Sequence, residues 1–318
     1  MTKFLQKLSG VQQSVLLSDY TTYKIGGPAK YFFVAKSKED LIAAMGVAKT
    51  FKLPVFILAG GSNLLISDNG FDGLVIKIDI SDIKFQGNEV FVGAGSSLSK
   101  LAYSSADRGL SGLEWAAGIP GTVGGAIYGC AQAFNVKISD SVKNVEAIDL
   151  KTFKIDNFTK EQCEFSLKNS IFKKNKNLAI VSAVLQFKNE DKQKIENKIE
   201  EFLNYRKTNH PIEFPSAGST FVNPEITITD KKILEKFPEL KEYNKKGVIP
   251  AGYLISKSGL AGKKIGEAAI SEKHANFIIN LGGAKAKDVM ALIKMAKDKV
   301  KENFGIDLEV EVQLIGTF

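Results

Sequence analysis

The sequence has little arginine, cysteine or histidine. All but two of its 43 basic residues are lysine, although the formal net charge is +8. Nucleic-acid readers commonly use the planar fork of arginine, so this composition argues against a nucleic-acid partner and leaves room for an anionic small molecule. The two cysteines, Cys130 and Cys163, cannot build a disulfide framework and lack metal-ligand spacing. We therefore expect a reducing compartment and no metal site.

Long apolar runs are also missing. No stretch approaches the length of a membrane span, and residues 1–20 lack the continuous apolar core of a secretory signal. We expect a cytoplasmic protein that does not insert into a membrane. With 318 residues, 44% of them hydrophobic, the chain can form two or three domains around separate cores. The sequence does not indicate an oligomeric state.

Apolar periodicity predicts an alternation of helices and strands. Four segments have a helical stripe, at about residues 38–52, 97–108, 191–208 and 287–303. Strand-like runs include VFILA at 55–59, GLVIKI at 73–78, EVFVGAG at 89–95 and IDLEVEVQLIG at 306–316. In the last run Ile306 to Leu314 alternate, so we expect one strand with its even-numbered positions buried.

Two glycine-rich loops follow strand-like runs. The first is Gly60-Gly61-Ser62-Asn63, and the second is GIPGTVGGA at 118–126. Without a Cβ, successive backbone N–H groups can converge on phosphate oxygens, and the hydroxyls of Ser62 and Thr122 add donors. Neither loop has a G-x-G-x-x-G or Walker pattern, so each taken alone favours a tight turn over a phosphate site. Two such loops together favour a bound nucleotide.

A third segment, FPSAGSTFVNP at 214–224, is enclosed by Pro215 and Pro224. The prolines prevent a continuous helix, and Gly218 permits a turn, so we expect a tightly specified loop. Ser219 in this loop is either an ordinary turn residue or a hydroxyl held for chemistry.

Six segments in this order and spacing resemble the UDP-N-acetylenolpyruvoylglucosamine reductase family: TTYKIGGPAKYFF, ILAGGSNLLISD, GIPGTVGGAIYG, PSAGSTFVNP, SEKHANFIIN and FGIDLEVEVQLIG. The resemblance implies an α+β protein with a two-domain FAD-binding fold of the vanillyl-alcohol-oxidase type and a third α+β, substrate-binding domain. It further implies FAD as cofactor, NADPH as reductant and a UDP-sugar substrate, UDP-N-acetylglucosamine enolpyruvate. The predicted divisions are 1–78 and 79–200 for the two lobes of the FAD-binding domain and 201–318 for the substrate-binding domain.

The resemblance also assigns roles to residues. Ser219 stands at the position of the proton-donating serine, Glu311 at that of a catalytic acid, and Asn223 at that of an asparagine that contacts substrate. The implied cofactor-binding residues are Tyr23, Gly60, Gly61, Ser62, Asn63, Leu64, Gly118, Pro120, Gly121, Thr122, Gly124, Gly125 and Ala126.

The sequence departs from the family pattern at several positions. Leu167 and Lys168 replace a Tyr-Arg pair, so Lys168 is the predicted third catalytic residue; it keeps the charge and loses the planar fork. The other departures are Gln132, Val222 and Gln313. They leave an alternative open, an FAD-binding protein of the same fold whose reductase activity is lost or altered.

Overall fold

The computed structural model describes residues 7–318, and their contacts form two compact units. Unit 1 contains the described residues up to 15, together with 28–61 and 71–206. Unit 2 contains 16–27, 62–70 and 207–318. The predicted boundary between residues 78 and 79 falls inside unit 1, and residues 1–6 of the predicted first lobe lie outside the described residues. The three-part division therefore stays a prediction.

The regular elements follow the predicted alternation. The strands are β1 Gln12–Leu16, β2 Pro28–Ala35, β3 Val55–Leu58, β4 Leu64–Ile66, β5 Phe71–Ile78, β6 Ile83–Gln86, β7 Glu89–Gly93, β8 Leu110–Ser111, β9 Gln132–Ala133, β10 Val136–Lys137, β11 Val142–Asp149, β12 Ile155–Thr159, β13 Leu178–Gln186, β14 Lys188–Asn189, β15 Ser216–Ser219, β16 Lys264–Ile265, β17 Ala268–Ile270, β18 Phe277–Asn280 and β19 Gln313–Ile315. The α-helices are Lys38–Thr50, Leu98–Ala106, Val123–Tyr128, Ile171–Lys174, Lys192–Asn209, Lys231–Lys236, Leu240–Lys246, Ala251–Lys257 and Ala286–Phe304.

The four predicted long helices are confirmed within a few residues of their expected ends. Local chemistry sets these ends: the Ser37 hydroxyl accepts the Asp40 N–H at 3.1 Å and opens the helix Lys38–Thr50. Gly305, with φ +71°, closes the helix Ala286–Phe304 in the left-handed conformation that glycine adopts without strain.

Unit 1 is built on two sheets. The first has the order β1-β2-β5-β3, in which β5 pairs in parallel with both β2 and β3. The second is antiparallel, with the order β12-β11-β13-β7-β6. Their apolar faces share one core, in which Trp115 and Phe172 are almost fully buried.

Unit 2 has a separate core around the antiparallel sheet β15-β18-β17-β16. The helix Ala286–Phe304 contributes its predicted buried stripe, including Val289, Leu292 and Ala296, to this core. A short parallel pair, β19 with β4, joins the end of the chain to the segment that follows the first glycine loop.

The single strand predicted over residues 306–316 is wrong in its extent. Val310 makes an isolated antiparallel bridge to Phe221, and only Gln313–Ile315 forms a strand, parallel to β4. Because the chain bends at Val312 as it changes partner, one alternation cannot continue through both pairings. Leu314, predicted to be buried with Ile306, is consequently 43% exposed.

Candidate active site

The two glycine loops contact each other within unit 1. A Cβ placed on Gly60 would lie 2.5 Å from the Cα of Gly121 and 2.9 Å from the backbone N of Thr122. Real Cβ atoms do not approach backbone atoms so closely, so only glycine fits at position 60. The absence of a side chain thus lets two separate turns of the chain meet.

Most backbone donors of the second loop are already used inside the protein. Six N–H groups, those of Gly118, Ile119, Val123, Gly124, Gly125 and Ala126, donate to Ser99 Oγ, Ala116 O, Ser96 O, Ala94 O, Thr122 Oγ1 and Thr122 O, respectively. These N–H groups are not available to a ligand, because the loop folds directly into the helix Val123–Tyr128, which Thr122 caps. Pro120 has no N–H to donate.

Four N–H groups remain at the contact of the two loops. Those of Gly60, Gly61, Gly121 and Thr122 have no hydrogen-bond partner among residues 7–318. Gly61 has φ +65° and Gly121 φ +127°, backbone conformations that turn successive N–H groups toward one side. Such a concave set of donors is suited to a pyrophosphate, so these residues fit the phosphates of a dinucleotide such as FAD.

A lysine that the sequence analysis missed, Lys77, contacts the residue directly before the first loop. Lys77 donates from its Nζ to the Ala59 carbonyl at 3.0 Å, and burial lowers the pKa of its amine. Its position in β5 puts a cation one residue away from Gly60. The only signal in the sequence was a charged residue inside the otherwise apolar run GLVIKI.

Arg206, to which the sequence analysis assigned no role, holds the backbone that leads into the second loop. Arg206 is buried, and its guanidinium donates to the carbonyls of Trp115 at 2.5 Å and Ala117 at 2.9 Å. The same group lies over the Phe134 ring, 5.1 Å from its centroid. Both carbonyls lie within the three residues before Gly118. Arg206 therefore fixes the backbone that leads into the loop, and it does so with the planar fork that lysine lacks.

Lys168 occupies a two-residue turn in unit 1. Ser166 and Asn169 exchange backbone hydrogen bonds on either side of it, and Lys168 has φ +53°. The next residue, Ser170, is fully buried and donates its hydroxyl to the Tyr128 carbonyl at 2.8 Å. Tyr128 ends the helix that begins at the second glycine loop, so the Lys168 turn is tied to that loop through one helix.

The neighbouring departures from the family pattern lie in local structure of unit 1. Leu167 precedes Lys168 in the same turn and is 37% exposed. Gln132 is half-buried in β9 and pairs with Lys137 of β10. Cys130 is buried.

Ser219 lies in unit 2 at the end of a strand, which corrects the expectation of a loop. It pairs with Phe277 across β15 and β18, and the register is irregular between Ser216 and Ser219. Gly218, with φ +76°, accounts for the irregularity, because L-residues rarely adopt this conformation. Ser219 remains half-buried there.

Glu311 is held beside the residues that follow Ser219. Its N–H donates to the Thr220 carbonyl at 2.8 Å, and Asn63 Nδ2 donates to the Glu311 carbonyl at 3.2 Å. Glu311 is half-buried, whereas Glu309 is exposed. The structure therefore brings together Ser219, Glu311 and the predicted cofactor-binding residue Asn63.

Asn223 has a structural partner of its own. Its Oδ1 accepts the N–H of Ala251 at 3.0 Å, in the first turn of the helix Ala251–Lys257. This contact connects the serine segment to a helix, and the adjacent departure Val222 is half-buried beside it. The predicted substrate contact of Asn223 stays a prediction.

The remaining predicted cofactor-binding residues of unit 2 are largely buried. Tyr23 is 2% exposed, burial raises the pKa of its hydroxyl, and its carbonyl accepts Asn280 Nδ2 at 3.0 Å. Leu64 is buried in β4, where it pairs with the departure Gln313. Ser62 is half-buried in the segment that leads to this pair.

The described residues contain neither a helix that could span a membrane nor a cluster that could hold a metal ion. Among residues 7–318, no helix combines the length and the apolar character that crossing a membrane requires. Within the same range, no three or more histidine, cysteine, aspartate or glutamate side chains form a group that could hold a metal ion.

The α+β fold and the paired glycine loops define a protein of the FAD-binding class, and residues 29–152 match the family model of the FAD binding domain. Residues 210–315 match the C-terminal domain of UDP-N-acetylenolpyruvoylglucosamine reductase. The chain belongs to the UDP-N-acetylenolpyruvoylglucosamine reductase family. The predicted family and FAD-binding fold are thereby confirmed.

Full-length relatives support this membership. The chain is 38% identical to the UDP-N-acetylenolpyruvoylglucosamine reductase of Bacillus subtilis (strain 168) over 302 residues, covering 94% of this chain and 92% of that protein. It is 40% identical to the corresponding protein of Lachnoclostridium phytofermentans over 306 residues, with 94% and 91% covered. The crystal structure of the reductase from Thermus caldophilus is similar at a TM-score of 0.77 and 31% identity, covering 96% of this chain and 99% of that chain.

Proposed function

We propose that the protein is an NADPH-dependent flavoenzyme that reduces UDP-N-acetylglucosamine enolpyruvate to UDP-N-acetylmuramate, a precursor of peptidoglycan. The observation that carries the proposal is the fixed placement of Ser219 and Glu311 in the unit that contains the reductase C-terminal domain. Family membership over nearly the whole chain supplies the substrate class. NADPH and UDP-sugars are cytosolic metabolites, which supports a cytoplasmic location.

Unit 1 holds the cofactor in this proposal. The N–H groups of Gly60, Gly61, Gly121 and Thr122 bind the pyrophosphate of FAD, and the amine of Lys77 adds positive charge behind them. Bound FAD supplies the two-electron chemistry by which a hydride passes from NADPH to the terminal carbon of the enolpyruvyl group.

Ser219 supplies the proton in unit 2. When hydride adds to the terminal carbon, an electron pair develops on the neighbouring carbon and its carboxylate. The Ser219 O–H bond breaks as its proton forms the new C–H bond at that carbon, and solvent then restores the hydroxyl. Glu311 is the second catalytic group of unit 2, and Asn223 contacts the substrate.

Lys168 stabilises the developing negative charge. As a compact cation it offers a point charge where an arginine would offer two parallel donors, so we expect a working but slower enzyme. The turn anchored through Ser170 limits how far this charge moves.

The test is the reaction itself. Purified protein should have a flavin spectrum, and it should oxidise more than one equivalent of NADPH under anaerobic conditions only when UDP-N-acetylglucosamine enolpyruvate is present, with UDP-N-acetylmuramate identified by mass spectrometry. A protein that binds FAD and is reduced by NADPH, but yields no product from this substrate, would favour the alternative of a diverged flavoprotein.

A further inference from the structure

The buried side chain of Asn276 forms hydrogen bonds to the backbone that follows Ser219. Its Oδ1 accepts the Phe221 N–H at 2.9 Å, and its Nδ2 donates to the Phe221 carbonyl at 2.9 Å. The Asn276 carbonyl also accepts the Thr220 N–H at 2.7 Å. One residue thus makes three hydrogen bonds to the two residues that follow the proposed proton donor.

Residues on either side of Phe221 bind the Glu311 segment. The Thr220 carbonyl accepts the Glu311 N–H at 2.8 Å, and the Val222 N–H donates to the Glu309 carbonyl at 2.9 Å. Any shift of residues 220–222 therefore moves Ser219 and Glu311 together.

Water cannot easily replace the amide of Asn276. Asn276 is 3% exposed and Phe221 is 1% exposed, so removing the amide leaves a buried N–H and a buried carbonyl without partners. Asn276 is itself fixed, because its N–H donates to His274 Nδ1 at 3.3 Å.

We propose that Asn276 is a positioning residue for the proton-transfer step: its amide fixes residues 220–221 and thereby sets the placement of Ser219 relative to Glu311. The inference rests on the proposed function. It assigns to Asn276 no contact with substrate or cofactor.

The chain contains a matched control. Asn244 binds Ile228 in the same manner, with its Oδ1 accepting the Ile228 N–H at 3.0 Å and its Nδ2 donating to the Ile228 carbonyl at 2.7 Å. Both asparagines lie in unit 2, and Asn244 has no proposed role in catalysis. Asn244→Ala therefore reports the cost of losing such a pair of bonds without affecting the serine segment.

The experiment compares Asn276→Ala, Asn276→Asp and Asn244→Ala with the parent protein. In Asn276→Ala, we expect faster hydrogen exchange in peptides covering residues 216–224, unchanged reduction of the flavin by NADPH, and reoxidation by substrate slowed by about 10- to 10²-fold. Because proton transfer then limits the rate, the solvent deuterium isotope effect on reoxidation should rise. Asn244→Ala should match the parent in all these rates.

Asn276→Asp provides the conservative test and a second variant should the alanine protein fail to fold. Its carboxylate can accept the Phe221 N–H but cannot donate to the Phe221 carbonyl, whereas the protonated acid can do both. Its reoxidation rate relative to the parent should consequently rise as the pH falls.

Two results would overturn the inference, and they are distinguishable. If the parent is reoxidised by substrate but Asn276→Ala reacts as fast as Asn244→Ala, Asn276 has no positioning role and the proposed function stands. If substrate does not reoxidise the parent, the proposed function fails and the catalytic role of Asn276 fails with it.

Discussion

The two units hold the backbone of their candidate functional segments in place by opposite means. In unit 1, the turn at Gly60 depends on the absence of side chains, because two stretches of backbone meet where a Cβ would not fit. In unit 2, the placement of the strand end at Ser219 depends on the presence of a side chain, the Asn276 amide, which forms hydrogen bonds to both backbone groups of Phe221. Substitutions should accordingly damage unit 1 by filling space and unit 2 by removing hydrogen bonds or the reacting hydroxyl itself.

The largest effect that separates the units is expected for Ser219→Ala. Losing a positioned proton donor typically costs about 10²–10⁴ in rate. Reoxidation of the reduced flavin by substrate should slow by that factor, while flavin reduction by NADPH stays near the parent rate; stopped-flow absorbance measures both. Ser258→Ala serves as the control, since Ser258 is a half-buried serine of the same unit whose Oγ is buried. Turnover of Ser219→Ala within a few-fold of the parent would show that Ser219 is only a structural residue at the end of β15.

A smaller effect is expected for the charge at Lys168. Stabilising groups of this kind are worth about 10²–10³ in rate, and a single lysine contact should provide part of that. Lys168→Ala should therefore slow reoxidation by substrate, and Lys168→Arg combined with Leu167→Tyr should accelerate it, measured as single-turnover rates. An alanine variant as fast as an active parent would show that another cation has this role.

Filling the contact between the glycine loops should weaken FAD binding. Gly60→Ala places a methyl group 2.5 Å from the Gly121 Cα and forces the loops apart. Backbone strain of about 1–3 kcal/mol corresponds to an affinity lower by about 5- to 150-fold, which fluorescence titration of the apoprotein with FAD can measure. Gly46→Ala is the control, since a Cβ on this helix residue meets no atom within 4 Å. Equal FAD affinity in both variants would contradict the role of the loop contact.

The smallest expected effect is on the free energy of unfolding of Lys168→Gly, a variant that distinguishes the charge of Lys168 from the backbone strain at this position. Its φ of +53° suits glycine, so Lys168→Gly should raise the free energy of unfolding by about 0.5–1 kcal/mol over the parent. Catalysis should fall as far as in Lys168→Ala, because both variants remove the same charge. Urea denaturation and single-turnover kinetics test the two halves of this prediction, and equal stability of the three proteins would argue against strain in the turn.

The sequence predicted those features that depend on local pattern. The helical stripe of residues 287–303 depends on neighbours a few residues apart, and it is confirmed. The strand at 306–316 failed because its partners, Phe221 and β4, are distant in sequence and pair in opposite directions.

The same limit applies to the candidate site. Glycine content located both loops but could not tell which N–H groups the fold already uses, as at Gly124 and Gly125. Lys77, Arg206 and Asn276 act on backbone that is 18, 89 and 55 residues away, respectively, and no local pattern marks such contacts. Family resemblance supplied Ser219 and Glu311, whereas only the structure shows what holds them.

The central claim is tested most directly by one anaerobic single-turnover experiment on the parent protein. The enzyme is first reduced with one equivalent of NADPH and then mixed with UDP-N-acetylglucosamine enolpyruvate in D2O, and the flavin absorbance and the product mass are recorded. The account predicts that the flavin is reoxidised and that one equivalent of UDP-N-acetylmuramate forms with solvent deuterium on the carbon next to the carboxylate, in addition to any deuterium that the exchangeable N5–H of the reduced flavin carries to the terminal carbon. Reduced flavin that persists in the presence of substrate, with no such product, would contradict it.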